Sequence, residues 1–288
     1  GTNKGEWYSN FSIGEGEEHQ GFSAASDFSI ESISDYVNHH NLDSKKYSLL
    51  ITGHSRGGAV ANICAKRFTD KNTFQSISAY TFASPCTTTS PNAENQLYNN
   101  IYNIINPEDF ICYIPLSQWN YCRYGIDIPL PQGEKKENKS LYEDMQSKFL
   151  LLTGYNHTGY PSGHEDVEKF LSAAAKIAPT VSDYYNKEIP LYPNSITLYE
   201  YMENAATLLS GEKSLSKGMI LLSGSVSPKF HPITRFMLQG IRIEDLTEDS
   251  SITHSAIGCA HTYETYQAWL DVLDEDYFYD TIKNNDQV

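Results

Sequence analysis

Apolar positions fall into two alternating regimes up to about residue 130 and a single regime beyond it. Between Ser23 and His39, the residues Phe28, Ile30, Ile33, Tyr36 and Val37 recur at helical spacing and predict an amphipathic helix. Tyr47–Thr52 is a short apolar-leaning run of strand length. It leads into Gly57, Gly58, Ala59 and Ala61, whose small side chains allow a helix, ending near Asp70, to pack closely on that strand. Ser76–Ala83 reads as a second strand, stopped by Ser84-Pro85. Ile101–Ile105 reads as a third, ended by Asn106-Pro107. Strands alternating with helical segments predict an α/β fold with a mostly parallel central sheet flanked by helices. In such sheets a ligand site lies beyond the carboxyl ends of the strands.

The pattern then changes. Ile111–Pro131 is aromatic and apolar without a clear period, and Gln132–Lys139 is charged and turn-like. Helical periodicity follows around Leu141–Leu152, Glu165–Ala178, Thr197–Leu209 and Ser214–Leu222. The expected organisation is one α/β domain over residues 1–288, interrupted at about 133–245 by a helical insertion far longer than an ordinary loop. The rings of Tyr184, Tyr185, Tyr192, Tyr199 and Tyr201, with Met202, are expected to form that insertion's own core, the alternative being a cap over the ligand site. Gly240–Leu246 is expected to return to a strand, and His261–Ile282 to form a closing helix headed by His261.

Charge narrows the partners. With 21 Lys and Arg against 36 Asp and Glu, the net charge of −15 argues against nucleic acid and against anchoring on anionic lipid by charge, and is compatible with a neutral ester. No run of about 18 apolar residues exists, so no transmembrane segment is expected. The five cysteines have no C-x-x-C spacing and are odd in number, which speaks against a zinc site or a dense disulfide framework.

The chemistry concentrates at Gly53-His54-Ser55-Arg56-Gly57, a G-x-S-x-G turn between a strand and a helix start. Such a turn exposes Ser55 Oγ and puts the backbone N–H of Arg56 at a helix N-terminus, where an oxyanion would form. A serine hydroxyl needs a base to take its proton, and histidine suits that task near neutral pH. A carboxylate then fixes the ring's tautomer. On this kind of sheet the chain order is serine, acid, histidine. Asp109, just beyond the third strand, is the best acid; Glu108 beside it would point elsewhere, and Asp127 is an alternative. Of the nine histidines, His19, His39, His40 and His54 come too early, while His157 and His164 lie in the insertion and His231 opens a Pro-rich turn. His261 remains as the base, with His254 as runner-up. No H-E-x-x-H or comparable ligand cluster points to a metal, and no cofactor is expected.

These segments resemble the class 3 lipase family, the fungal-lipase-like branch of the α/β hydrolases. Thr52-Gly-His-Ser-Arg-Gly-Gly-Ala59 is similar to its T-G-H-S-L-G-G-A, and Tyr80-Thr-Phe-Ala-Ser-Pro85 to its Y-T-F-G-x-P. The segment Asn103–Pro115 resembles the family stretch that carries the triad acid, which falls on Asp109. His261–Tyr266 resembles the closing H-x-x-x-x-Y of bacterial members, which puts the base on His261. Gly1-Thr2 resembles the end of F-R-G-T, and His19-Gln-Gly-Phe22 the motif H-x-G-F. The resemblance covers roughly residues 1–130 and 250–275. It implies an α/β-hydrolase fold and a second oxyanion donor at Thr2. In the family, strands precede that motif, so the chain is expected to begin inside the fold. It further implies a serine carboxylic ester hydrolase acting on acylglycerols or related lipid esters. The alternatives are a phospholipase or acyltransferase on the same fold, and a catalytically inactive lipase-like binding protein.

Overall fold

The computed structural model describes residues 9–191, 194–209, 215–240 and 255–285. The chain divides into two compact units, one built from residues 1–105, 111–130 and 274–288, the other from 106–110 and 131–273.

The first unit holds a four-stranded sheet of β1 (Ser48–His54), β2 (Ser76–Phe82), β3 (Ile101–Ile105) and β4 (Ile126–Pro129), in that order and parallel throughout. The α/β reading therefore holds, and the chain's carboxyl-end exits from all four strands lie along one edge. Helix α1 (Gln20–His39) packs on α2 (Arg56–Lys71), which in turn lies against β1 and β2. The apolar stripe read between Ser23 and His39 explains that layer: Ile30, Ile33 and Val37 pack onto a core of Cys64, Phe68 and Phe74.

β4 was hidden inside the aperiodic Ile111–Pro131 stretch. Its register is held largely by polar groups. Asn62 Nδ2 donates to Asn103 Oδ1 at 3.0 Å and to the Tyr124 carbonyl at 2.8 Å, and Thr81 Oγ1 donates to Asn103 Oδ1 at 2.7 Å. Asn103 Nδ2 reaches the Tyr124 carbonyl at 3.0 Å and Asp127 Oδ1 at 3.1 Å. Arg123, buried, pairs with Asp127 at 2.6 Å and donates to the Ser84 carbonyl at 3.0 Å. Asp127, the alternative acid, is thus committed to the sheet. Such a network is stabilising only because every member is paired. All five cysteines are free thiols.

The second unit is mainly helical: α3 (Lys139–Thr153), α4 (His164–Ile177), α5 (Val181–Asn186), a hairpin of β5 (Ile189–Leu191) and β6 (Asn194–Ile196), then α6 (Leu198–Leu209), α7 (Leu215–Gly224), α8 (His231–Gly240), α9 (Ala256–His261) and α10 (Tyr263–Val272). The Pro-rich turn expected at His231 is instead the start of α8, because Pro232 sits in the first turn, where a missing N–H costs nothing. The single closing helix expected over His261–Ile282 is two, preceded by the short α9. The chain is extended at Thr262, so His261 ends α9 rather than heading a helix. Asp274 then caps α11 (Glu275–Asn285) of the first unit, accepting from Tyr277 N–H at 3.0 Å. Most of the strand expected at Gly240–Leu246 lies outside the described residues. Tyr184, Tyr201 and Met202 are buried within the second unit, and Tyr192 is outside the described residues. Among the described residues no helix is long and apolar enough to cross a membrane.

Candidate active site

β1 runs directly into the turn at Ser55, whose φ of 57° and ψ of −129° are costly for any residue with a Cβ. The turn is held from both sides. Ser55 N–H donates to the Phe82 carbonyl at the end of β2 at 2.9 Å, and the Ser55 carbonyl accepts the first helical bond of α2 from Ala59 at 3.1 Å. Arg56 opens α2, so its backbone N–H stands at the helix N-terminus, as expected. Its guanidinium donates to Asn10 Oδ1 at 3.0 Å and to Ser9 Oγ, and lies over the Phe22 ring. His19 is fully buried and stacked on Phe22 at 3.9 Å, and burial pushes its pKa down to about 4. The H-x-G-F motif thus braces the elbow and supplies no base.

The two glycines of the G-x-S-x-G pattern are not equivalent. A Cβ on Gly53 would stand 2.1 Å from the Gly57 carbonyl oxygen, whereas one on Gly57 would meet nothing within 4 Å. Gly53→Ala is therefore expected to destabilise the fold by about 3 kcal/mol or more, since only backbone could yield. Gly57→Ala should be neutral or stabilising by up to about 1 kcal/mol. Urea-unfolding midpoints check this, and equal midpoints for Gly53→Ala and the parent would contradict the packing described.

The second unit holds the acid and the base together. His261 Nδ1 lies 2.8 Å from Asp109 Oδ2, across 152 positions of chain. A carboxylate only accepts, so the ring proton belongs on Nδ1 and the lone pair on Nε2. Asp109 is almost wholly buried at 1 % exposure, while the His261 side chain keeps 25 %. The ring is therefore reachable and its anchor is not. Tyr266 O–H donates to the same Oδ2 at 3.0 Å and accepts from Asn106 N–H at 3.2 Å. Asn106 Nδ2 donates to the Ala260 carbonyl at 2.9 Å, and His164 Nδ1 to the Pro107 carbonyl at 2.7 Å. Phe110 closes the loop edge-on against Phe170 and Phe236. Asn106 and Tyr266 were not singled out from sequence as partners of the acid. The signal for Tyr266 was its place five residues after His261, which puts its hydroxyl on Asp109. Thr2 and His254 lie outside the described residues.

Glu108 turns away from His261, toward Gly159 and Tyr142, where a Cβ on Gly159 would stand 3.2 Å from Glu108 Oε2. Burial, then the nearby charge of Glu134, pushes its pKa up to about 7, against the pull of the Tyr160 N–H. A carboxyl whose folded value exceeds its unfolded value stabilises fully below about pH 4.5 and loses that contribution as pH rises through about 7, here about 3 kcal/mol in all. Buried His157, lowered to about 4, has the opposite slope between about pH 4 and 6.5. The difference between Glu108→Gln and the parent isolates Glu108. The variant should gain about 3 kcal/mol relative to the parent between pH 4.5 and 8, read from chemical unfolding at each pH. A pH-independent difference would mean that Glu108 is ionised throughout.

Residues 2–119 match the family described as lipase (class 3). Over these residues the chain is similar to the class 3 lipase family. Solved structures similar to it include the lipase from Rhizopus microsporus var. chinensis (17 % identity, TM-score 0.32, covering 39 % of this chain and 41 % of that one). The Rhizomucor miehei lipase propeptide complex shows 20 % identity and a TM-score of 0.32, over 39 % of this chain and 38 % of the other. The mono- and diacylglycerol lipase from Aspergillus oryzae shows 22 % identity and a TM-score of 0.35, over 42 % and 45 %. The matched region thus spans less than half the length of each of these lipases. No curated protein sequence matches the chain.

Proposed function

We propose that this chain is a serine carboxylic ester hydrolase acting on acylglycerols or related lipid esters, without a cofactor. The observation that carries the reading is the His261–Asp109 pair at 2.8 Å, with a buried carboxylate and a partly open ring, in a chain whose Ser55 sits on a strained elbow. In the proposed cycle His261 Nε2 is the base for Ser55 Oγ. The oxygen attacks the acyl carbonyl as Nε2 takes its proton, and Asp109 steadies the resulting imidazolium. Negative charge develops on the carbonyl oxygen, where the Arg56 N–H and the N–H of Thr2 would stabilise it. Collapse expels the alcohol, which receives the proton from His261, leaving an acyl group on Ser55. Water, deprotonated by the same ring, attacks that ester, releases the carboxylic acid and restores the serine.

A fluorophosphonate probe tests the reading, because it reacts only with an activated serine. Labelling of the parent chain at Ser55, located by peptide mass analysis, is the expected result. An unlabelled but folded chain would favour a lipase-like binding protein instead. Transfer of the acyl group to an alcohol in preference to water would favour an acyltransferase.

A further inference from the structure

The second unit carries an open groove of about 1000 Å³ whose lining includes Lys169 and Lys176 of α4, Lys187, Lys229, and Arg235 of α8. These are five of the chain's 21 lysines and arginines, gathered from four chain segments in a protein of net charge −15. Mutual repulsion makes such a gathering unfavourable unless anions offset it. Among the described residues, carboxylates offset it only in part. Glu165 pairs with Lys169 at 2.8 Å, Asp166 accepts from Ser162 N–H at 2.9 Å, and Glu168 faces His164. Among the described residues Lys176, Lys187, Lys229 and Arg235 have no carboxylate within ion-pair distance.

The floor bears on what could fill the groove. Phe170 and Phe236, which stack at 4.5 Å, line it but are only 1 % and 3 % exposed, so the apolar surface it offers comes from smaller groups such as Pro161, Pro228 and Pro232. The wall carries four ammonium groups and one guanidinium against the three carboxylates of Glu165, Asp166 and Glu168, and this excess of cationic donors suits a multiply charged oxyanion. We propose that this groove binds a phosphate-bearing anion, independently of the chemistry at Ser55. The phosphate could belong to a lipid head group or to a soluble phosphorylated compound.

The test titrates the full chain calorimetrically with inorganic phosphate at constant ionic strength. It then measures co-sedimentation with phosphatidylcholine vesicles, with and without phosphatidic acid. Lys187→Gln/Arg235→Gln alters the groove, and Lys136→Gln/Lys148→Gln removes the same charge from exposed positions on other segments. Saturable binding of phosphate, or of phosphatidic acid vesicles alone, is expected. It should weaken by about tenfold or more in the groove variant and by less than twofold or so in the control. Phosphate binding without vesicle binding assigns a soluble source, and vesicle binding assigns a head group. Absence of both, or equal weakening in the two variants, overturns the proposal. Unchanged thermal melts verify that both variants fold.

Discussion

Ser55→Ala is expected to lower kcat for p-nitrophenyl butyrate hydrolysis by about 10⁶-fold, the scale of loss when the nucleophile of a catalytic unit is removed. It should also abolish fluorophosphonate labelling. The fold should survive, because alanine and serine both carry the Cβ that strains the elbow at a φ of 57°. The backbone bonds of Ser55 to Phe82 and Ala59 do not involve the hydroxyl. The melting temperature should therefore stay within a few degrees of the parent's. That pairing of results separates catalysis from structure. Hydrolysis persisting in the purified variant would remove Ser55 from the mechanism, whatever the fold resembles.

The elbow was legible because its determinants are local. A strand, one crowded glycine and a run of small residues fall within about a dozen positions, and turn chemistry acts at that range. The three strands rich in aliphatic residues were readable for the same reason. β4 was not, because it has only four residues, includes Asp127, and gains its place by pairing with β3 across intervening loops. Asn62, Asn103 and Thr81 look like surface residues in a sequence. They are core residues only because the fold brings three elements to bear on the Tyr124 carbonyl and on one another. The pairing of Asp109 with His261 lies between these cases. No local pattern links residues 152 apart, but chain order and the motifs around each of them did. The break after His261 and the division of the rest, to Ile282, into two helices depended on the extended backbone at Thr262 and the cap at Asp274, which apolar periodicity does not report.

Asp109→Asn carries the second large expectation, a loss of about 10⁴-fold in kcat with little change in KM. Two donors, the His261 ring and the Tyr266 hydroxyl, converge on one carboxylate oxygen. An amide can place its oxygen there and keep both bonds, so the loop anchored by Asn106 and Phe110 should hold its shape. The amide cannot supply the negative charge that favours an imidazolium over a neutral ring as Ser55 gives up its proton. If the amide nitrogen faces His261 instead, the ring is driven into the tautomer with its proton on Nε2, which cannot act as a base. Both routes slow the chemical step without removing the nucleophile. Tyr266→Phe discriminates between charge and position. It leaves the carboxylate in place and removes one hydrogen bond, so its loss should be nearer tenfold, from about 1 kcal/mol of misplacement. A Tyr266→Phe defect as deep as that of Asp109→Asn would mean that the hydroxyl, rather than the charge, sets the geometry of the pair. An Asp109→Asn variant that retains full activity would exclude the pair from catalysis.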